Sequence, residues 1–449
     1  PHFSQIINQN AIDLQTGSWQ FWTIIFSIFV FSTLLAGFYP AFILSSFQPM
    51  QTLKSISGFN GNKRGRNFFR KSLVVLQFAA AIVLIGGAIG FYRQLRFMSH
   101  RDLGIDIKQT LVLQQSQNLD SSRMNAVEAV INYLQKIPGV ENVTTSTSVP
   151  GSEVGGSSGF RLISSNEDKR CRDFGIDEKF IPNYNLSLAA GRNFDKDKSF
   201  TSDTTQTVNV IINETAAKIF GFTQAKDAIN KILVTGGNIH CKIIGVLHDY
   251  HQQSLQYNFD PIVYYSEIPI NMTDFSLKLK TKNLAQVVDQ AKKVWSEAFP
   301  QSPLQYFFLD EYFNRQYKSD KLFSTILWWF TILAIIVASL GLFGLSLYTV
   351  AKRAKEIGLR KVLGATVFQI TTLITKEYIK LILYAGLAAI PIAYFLLRNW
   401  LHDYAFHIEI GIWFFLLPLL LIIVIALLTV LYQSVKAAIA NPVKSLRTE

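Results

Sequence analysis

The run His248-Asp249-Tyr250-His251 holds the side chains best suited to metal binding or acid–base chemistry. Imidazole and carboxylate together ligate zinc. Neighbouring side chains on a strand point to opposite faces, however, and no third cluster of ligands accompanies the run. It reads as a turn leaving a strand over Ile243–Val246. Gly58-Phe-Asn-Gly-Asn-Lys63 has the glycines and lysine of a phosphate loop but not the G-x-x-x-x-G-K-[ST] spacing, and it follows an apolar helix rather than a strand. The sequence contains no H-E-x-x-H and no C-x-x-C. These residues predict no catalytic centre, no cofactor, no metal site and no ATP hydrolysis by the chain itself. Cys171 and Cys241 are candidates for a disulfide in an oxidising compartment.

The elements that hold these residues are set by clustered apolar sequence. Of 449 residues, 49% are hydrophobic and 16% charged. Five strongly apolar windows lack any Asp, Glu, Lys or Arg: Leu14–Leu53, Ser72–Tyr92, Leu322–Ala351, Leu381–Leu397 and Ile410–Val435. A helix of roughly 20 such residues crosses a bilayer, so about five transmembrane helices are expected. Buried helices of a soluble protein seldom run this long without a charge, because one face meets water. Pro40, Pro391 and Pro418 fall within spans, where proline bends a helix. Trp328, Trp329, Trp400 and Trp413 sit near outer span ends, as interfacial aromatics do.

The net charge of +12 would suit nucleic acid, but position decides against that partner. Lys54, Lys63, Arg64, Arg66, Arg70 and Lys71 crowd between the first two spans. Lys352, Arg353, Lys355, Arg360 and Lys361 follow the third, and Lys436, Lys444 and Arg447 follow the fifth. The positive-inside rule places these loops in the cytoplasm and the long segment 93–321 outside. Labels at Ser157 and Ser434 are then expected to react from opposite sides of the membrane.

The outer segment alternates strand and helix signals. Strand runs are Thr110–Leu113, Val208–Ile212, Lys242–Val246, Ile262–Tyr265 and Tyr306–Leu309. Helical spacing links Met124, Val127, Ile131 and Leu134, and again Leu284, Val287, Ala291, Trp295 and Phe299. Asn213 before Glu214 suits a helix start. Pro138-Gly139 and Pro300 stop helices. Gly151–Ser165, rich in Gly and Ser, reads as a mobile loop. The fold expected is a transmembrane helical bundle with a large mixed α+β extracytoplasmic domain.

An internal repeat supports a duplicated organisation. Tyr39–Ser55 and Tyr432–Thr448 align at a constant offset, matching Tyr39 with Tyr432, Pro49 with Pro442, Leu53 with Leu446 and Lys54 with Arg447. Both follow an apolar span, and repeats are common in membrane transport proteins. Residues 1–55 then read as the last span of a preceding repeat, and 56–92 as a basic loop and second span. Residues 93–321 form the outer domain, and 322–449 a three-span permease unit with a cytoplasmic coupling segment. The sequence reads as the C-terminal portion of a longer chain.

The inner segment Ala351–Ile370 is amphipathic as one helix. Leu359, Val362, Leu363 and Ile370 share a face, with Arg353, Arg360 and Lys361 away from it. Such an element could lie on the membrane surface and present charge to a cytoplasmic partner, or be a solvated basic loop that only fixes topology. Gly358 and Gly364 suggest a close approach or a bend.

Leu340-Gly-Leu-Phe-Gly-Leu345 followed by Lys355-Glu-Ile-Gly-Leu-Arg-Lys-Val-Leu-Gly-Ala365 resembles the signature of MacB/FtsX-like ABC transporter permeases. The strict form often has Ile at the place of Leu359. Ser72–Phe78, Gly191-Arg-Asn-Phe194, Asn213-Glu-Thr-Ala216, Gly245-Val-Leu-His-Asp249, Phe308-Leu-Asp-Glu311 and Asn441-Pro-Val443 resemble it in order over nearly the whole chain. The variant is similar to the duplicated permeases of Bacteroidetes-type bacteria. The resemblance implies a multi-pass protein of the bacterial inner membrane with its large domain in the periplasm. It implies a cytoplasmic ABC ATPase docking on 351–370, with Glu356, Gly358, Leu359, Arg360, Lys361 and Gly364 as coupling positions. It further implies mechanotransmission of ATP-driven motion to the outer domain, for efflux of antimicrobial or envelope-active substrates. Contact with membrane lipid and a homo- or pseudo-dimer of permease units are expected, with a periplasmic adaptor and outer-membrane channel as further partners. Lipoprotein release or envelope and division signalling is the alternative on the same scaffold. A membrane-anchored receptor or enzyme acting through 93–321 is the alternative of another class.

Overall fold

The computed structural model describes residues 19, 22–27, 29–34, 63–115, 124–195, 207–236, 238–267, 272–300 and 302–439. The expected first span lies mostly outside these residues, as do Gly58–Asn62, Pro40, Tyr39–Ser55 and the C-terminal half of the repeat from 440 onward. Contacts divide the chain into two compact units. One comprises residues 1–84, 329–390 and 417–449, and the other comprises 85–328 and 391–416.

Among the described residues, four helices are long and apolar enough to cross a membrane. They are α1 (Lys63–His100), α7 (Lys318–Lys352), α9 (Val367–His402) and α10 (Trp413–Ile439). The first three outrun their charge-free windows at both ends, and α10 runs past its window only at its C-terminal end. The largest difference is at α9, where the window began at Leu381 but the helix begins at Val367. Lys376, Glu377 and Lys380 were read as loop residues and lie on the helix. An acid within a span is tolerated when it is paired, and Glu377 is paired twice, as described below. Pro391 and Pro418 lie inside α9 and α10.

In the first unit these helices pack through small residues. Ala81 of α1, Ala338 of α7, Ala385 and Ala389 of α9 and Ala426 of α10 are buried. Small side chains let helices approach closely where lipid removes the hydrophobic drive to associate. Gly341 is one such point, because a Cβ there would lie 2.4 Å from the amide oxygen of Gln77. Trp329, Leu333, Ile336 and Leu340 are exposed at helical spacing along α7, the apolar stripe a lipid-facing helix carries.

The second unit is built in layers. Strands β1 (Thr110–Gln114), β2 (Val140–Ser146), β10 (Asp274–Leu279) and β11 (Gln305–Phe308) form an antiparallel sheet in the order β11-β1-β10-β2. Helices α2 (Met124–Gln135) and α5 (Leu284–Ala298) cover one face. Their apolar stripes bury Val127, Val130, Leu134, Val287, Ala291 and Trp295 against Leu111, Leu113, Phe275 and Leu277. This is a split β-α-β-β-α-β sheet, with residues 147–273 inserted between its second and third strands.

The insertion closes on itself. Strands β3 (Gly156–Leu162), β4 (Lys169–Ile176), β6 (Val208–Asn213), β7 (Ile232–Thr235), β8 (His240–Leu247) and β9 (Ile262–Ser266) pair in the ring β4-β3-β7-β8-β6-β9, and β9 returns to β4. Period-two alternation sends Val210, Ile212, Cys241, Ile243 and Val263 to one cluster and Ile211, Ile244, Ile262 and Tyr264 to another. The first fills the barrel, which helix α4 (Glu214–Ile219) joins through Ala216 and Ala217. The second packs the barrel's outside against the sheet's other face, including Val112, helix α3 (Phe180–Asn183) and helix α6 (Leu309–Arg315). Tyr184 crosses this layer to donate its hydroxyl to Ser276 at 2.8 Å.

The middle of the expected mobile loop Gly151–Ser165 is strand β3. Its glycines serve proximity: Gly156 faces Asp173, whose Cβ would lie 2.9 Å from an added Cβ, and the Ser158 hydroxyl donates to the Asp173 carboxylate at 2.6 Å. Cys171 and Cys241 are both buried, free thiols. They stand on β4 and β8, three strands apart either way round the ring. Strand spacing of about 4.8 Å puts such positions well beyond the ~7 Å a disulfide spans. Burial, with the Asp173 charge, pushes Cys171 up to about 12 and Cys241 up to about 11.

Candidate coupling site

Helix α7 ends at Lys352, and Arg353 turns the chain with φ −97° and ψ 9° into the short helix α8 (Ala354–Val362). Ile357 and Gly358 face inward and are buried, and Lys361 is half-buried. Gly358 sits mid-helix and marks no break in α8. Glu356 and Arg360 pair one turn apart at 2.8 Å on the exposed side.

Gly364 ends α8. Its φ of +92° is a left-handed conformation that glycine adopts without strain. The Ala365 amide donates to the Arg360 carbonyl at 2.9 Å, and the Gly364 amide to that of Lys361 at 3.1 Å. These two bonds make a Schellman stop, closing the orphan carbonyls of the last turn. The next helix starts at once. The Gln369 amide donates to the Thr366 hydroxyl at 3.3 Å, and the Thr366 amide donates to the Gln369 side-chain oxygen at 3.0 Å. This reciprocal capping box launches α9. The reversal is therefore fixed by local hydrogen bonds at both of its ends.

The single amphipathic helix expected over 351–370 is thus two helices with a hard stop between them. Ile370 belongs to α9 and is buried, whereas Leu359, Val362 and Leu363 are exposed, so the four do not share a face. Phe368 and Val367 of α9 are exposed beside the turn. A shallow groove of about 510 Å³ runs past Arg360, Leu363, Gly364 and Gln369. Exposed apolar side chains grouped in this way mark surfaces that contact protein or membrane.

Glu377 anchors the segment from behind. One carboxylate oxygen accepts from Arg353 at 2.6 Å, and the other lies 3.8 Å from the Lys71 ammonium of α1. The neighbouring Arg70 guanidinium lies 4.5 Å above the Tyr348 ring of α7. Basic residues expected only to fix topology therefore also tie α1, α7 and α9 together. Sequence reasoning passed over Glu377, Phe368 and the Thr366–Gln369 pair. The T-x-x-Q spacing after a glycine was a readable signal for the last.

The catalytic candidates resolve into structural roles. Asp249 accepts from the Asn213 amide at 2.8 Å, the Thr215 hydroxyl at 2.8 Å and the Thr215 backbone amide at 3.1 Å. Buried Asn213 caps α4 at Ala216, accepts from Ile262 and donates to the Asp260 carbonyl. His248 lies 3.2 Å from Glu214, and His251 packs between Phe259 and Phe406. Burial and the Arg101 charge hold His251 down at about 4. No group of three potential metal ligands exists among the described residues. Gly191 and Gly245 face each other where β5 (Leu188–Gly191) pairs with β8. A Cβ on either would lie within 2.7 Å of opposing backbone. Three of the motifs, at 191, 213 and 245, therefore meet along the last residues of β8.

The sequence matches two family models: the MacB-like periplasmic core domain over residues 75–294 and the FtsX-like permease C-terminal region over 328–442. Among solved structures, the periplasmic region of MacB from Actinobacillus actinomycetemcomitans aligns at 16% identity with a TM-score of 0.34, covering 47% of this chain and 94% of that one. The extracellular domain of the ABC-type transporter YknZ from Gram-positive bacteria aligns at 17% identity with a TM-score of 0.31, covering 44% and 99%. No curated protein matches. The two matched models together take in about three quarters of the sequence, and the chain belongs to the MacB/FtsX-like permeases of ABC transporters, in which a separate cytoplasmic ATPase hydrolyses the ATP.

Proposed function

We propose that this permease takes ATP-driven motion from a cytoplasmic ABC ATPase at α8 and passes it to the domain built on residues 93–321. The reading rests on one observation: a short helix with an exposed apolar end, Leu359, Val362 and Leu363, held between two spanning helices by fixed turns. A push on such an element moves α7 and α9 as bodies, since packed helices shift rather than deform. Glu356, Gly358, Leu359, Arg360, Lys361 and Gly364 are the coupling positions, and Phe368 joins them. The transported substrates are antimicrobial or envelope-active molecules, handled by mechanotransmission at the inner membrane with the large domain in the periplasm. Permease units pair as a homo- or pseudo-dimer, and a periplasmic adaptor with an outer-membrane channel completes the route.

The test is ATPase stimulation by the chain reconstituted with its ATPase. Arg360→Glu with Lys361→Glu breaks the exposed Glu356–Arg360 pair, worth about 0.3–0.5 kcal/mol, and folding and membrane insertion are expected to persist. Stimulation and transport are expected to fall at least tenfold. Wild-type stimulation by the double variant rules out docking at α8.

A further inference from the structure

The outer end of α1 carries charge that topology does not explain. Its charge-free run ends at Tyr92, and Arg93, Arg96, His100 and Arg101 follow immediately. Basic residues this close to a span disfavour the outer side. Arg93, Arg96 and His100 fall at helical spacing on one stripe of α1, and Arg101 follows the last turn.

These residues line a cavity of about 1,020 Å³ that lies wholly within the unit formed by 85–328 and 391–416. Ile89, Tyr92 and Trp328 form an apolar and aromatic part, at the level where α1 leaves its charge-free run. Arg96, Arg101 and the Gly104 loop form a polar part. The guanidinium of Arg93 lies 5.2 Å from the Phe414 ring centre and that of Arg101 5.2 Å from Phe97. A guanidinium set against a ring keeps its N–H edge for a planar acceptor.

Three arginines face two acids in this wall, and neither acid is paired with them. Asp249 accepts its three hydrogen bonds from Asn213 and Thr215, and Asp102 accepts from the Gly104 amide at 3.0 Å. Among the described residues, Arg93, Arg96 and Arg101 form no ion pair. The volume matches that of small-molecule sites, which run to roughly 1,000 Å³. We propose that the cavity binds the anionic head of a membrane amphiphile, a phosphate or carboxylate on a hydrocarbon chain. The three arginines hold the head, and Ile89, Tyr92 and Trp328 hold the start of the chain. Two sources share this chemistry: an anionic phospholipid of the bilayer, or a single-chain amphiphile delivered from solution.

The experiment uses the full chain and native mass spectrometry. Phosphatidylglycerol is compared with phosphatidylcholine in mixed micelles. Monomeric lysophosphatidylglycerol is added separately to chain held in phosphatidylcholine nanodiscs. An arginine near a membrane surface contributes about fivefold in affinity for an anionic lipid. The triple Arg93→Gln, Arg96→Gln, Arg101→Gln variant is therefore expected to lose roughly 100-fold, and the triple Lys variant to stay within about fivefold of the parent. Arg96→Gln alone, expected to lose about fivefold, decides the matter if the triple variant misfolds. Selective retention of phosphatidylglycerol identifies bilayer lipid as the source, and capture of the lyso compound identifies a delivered amphiphile. Equal retention of anionic and zwitterionic lipid, binding of neither, or glutamine variants that bind like the parent overturns the proposal.

Discussion

Replacing Gly191 with alanine tests whether the β5–β8 junction needs a missing side chain or merely a flexible one. Gly191 has φ +84°, which costs a residue with a Cβ about 1–2 kcal/mol. The new methyl would also lie 2.2 Å from the Ile244 carbonyl oxygen and 2.7 Å from the Gly245 Cα. Both atoms belong to the backbone of β8, so β5 must move by about 1 Å to restore ordinary contact. That movement strains the bond from the Arg192 amide to the Ile244 carbonyl, now 3.0 Å, and the adjoining ladder, at about 1 kcal/mol each. The total is roughly 3–4 kcal/mol, or about 6–15 °C in Tm for a domain of this size. Gly221 is the control. It shares φ +84° but has nothing within 4 Å of an added Cβ, so Gly221→Ala carries the conformational cost alone, about 2–8 °C. Thermal unfolding of the full chain in nanodiscs, followed by tryptophan fluorescence, reads both. Trp295, buried and bonded to the Ser302 carbonyl, reports on the domain. Equal losses in the two variants would refute the steric argument.

Asp274 is buried, and burial, opposed by hydrogen bonds from Thr273 and Gln114, raises it from 3.8 to about 6. A carboxyl raised in the folded state favours folding at low pH and loses that contribution as pH climbs through about 6. Asp274→Asn is therefore expected to gain on the parent by up to roughly 3 kcal/mol between pH 4 and 7.5, and then plateau. Denaturant unfolding at a series of pH values measures this, and parallel profiles exclude it. A topology test needs one revision, because Ser434 is buried while Lys436 is exposed. Ser157→Cys and Lys436→Cys are expected to react with an impermeant maleimide from opposite sides, and labelling from one side contradicts the assigned orientation. Cys171 and Cys241, buried and held protonated, are expected to leave the parent unlabelled near pH 7.5.

The spans and most elements of the domain were legible because they follow from periodicity and caps. Strands at Val208, Ile262 and Thr110 and helices at Met124 and Leu284 fall where the spacing placed them. Glycine was the main source of error. In β3 it permits contact with Asp173, and composition alone cannot tell a close approach from mobility. The two ends of the coupling segment were hidden for a related reason. A helix wheel drawn across Gly364 assumes an unbroken helix, so it joined Ile370 to residues on another element. Glu377 was passed over because counting charges cannot show that Arg353 and Lys71 neutralise it in space. The barrel was illegible as a closed ring, since the β4–β9 pairing joins strands about 90 residues apart.

The way the barrel is spliced into the split sheet bears on how such permeases diversify. Chain leaves the sheet after Ser146 and re-enters at Asp274, and these two residues are direct partners across β2 and β10. The inserted module therefore hangs from two neighbouring attachment points, the geometry that best tolerates transplantation. Its hydrophobic layer against the sheet, with Tyr184 reaching Ser276, means that a replacement must bring a matching apolar underside. Within that condition, evolution or an engineer can trade one inserted module for another while leaving the split sheet that carries it untouched.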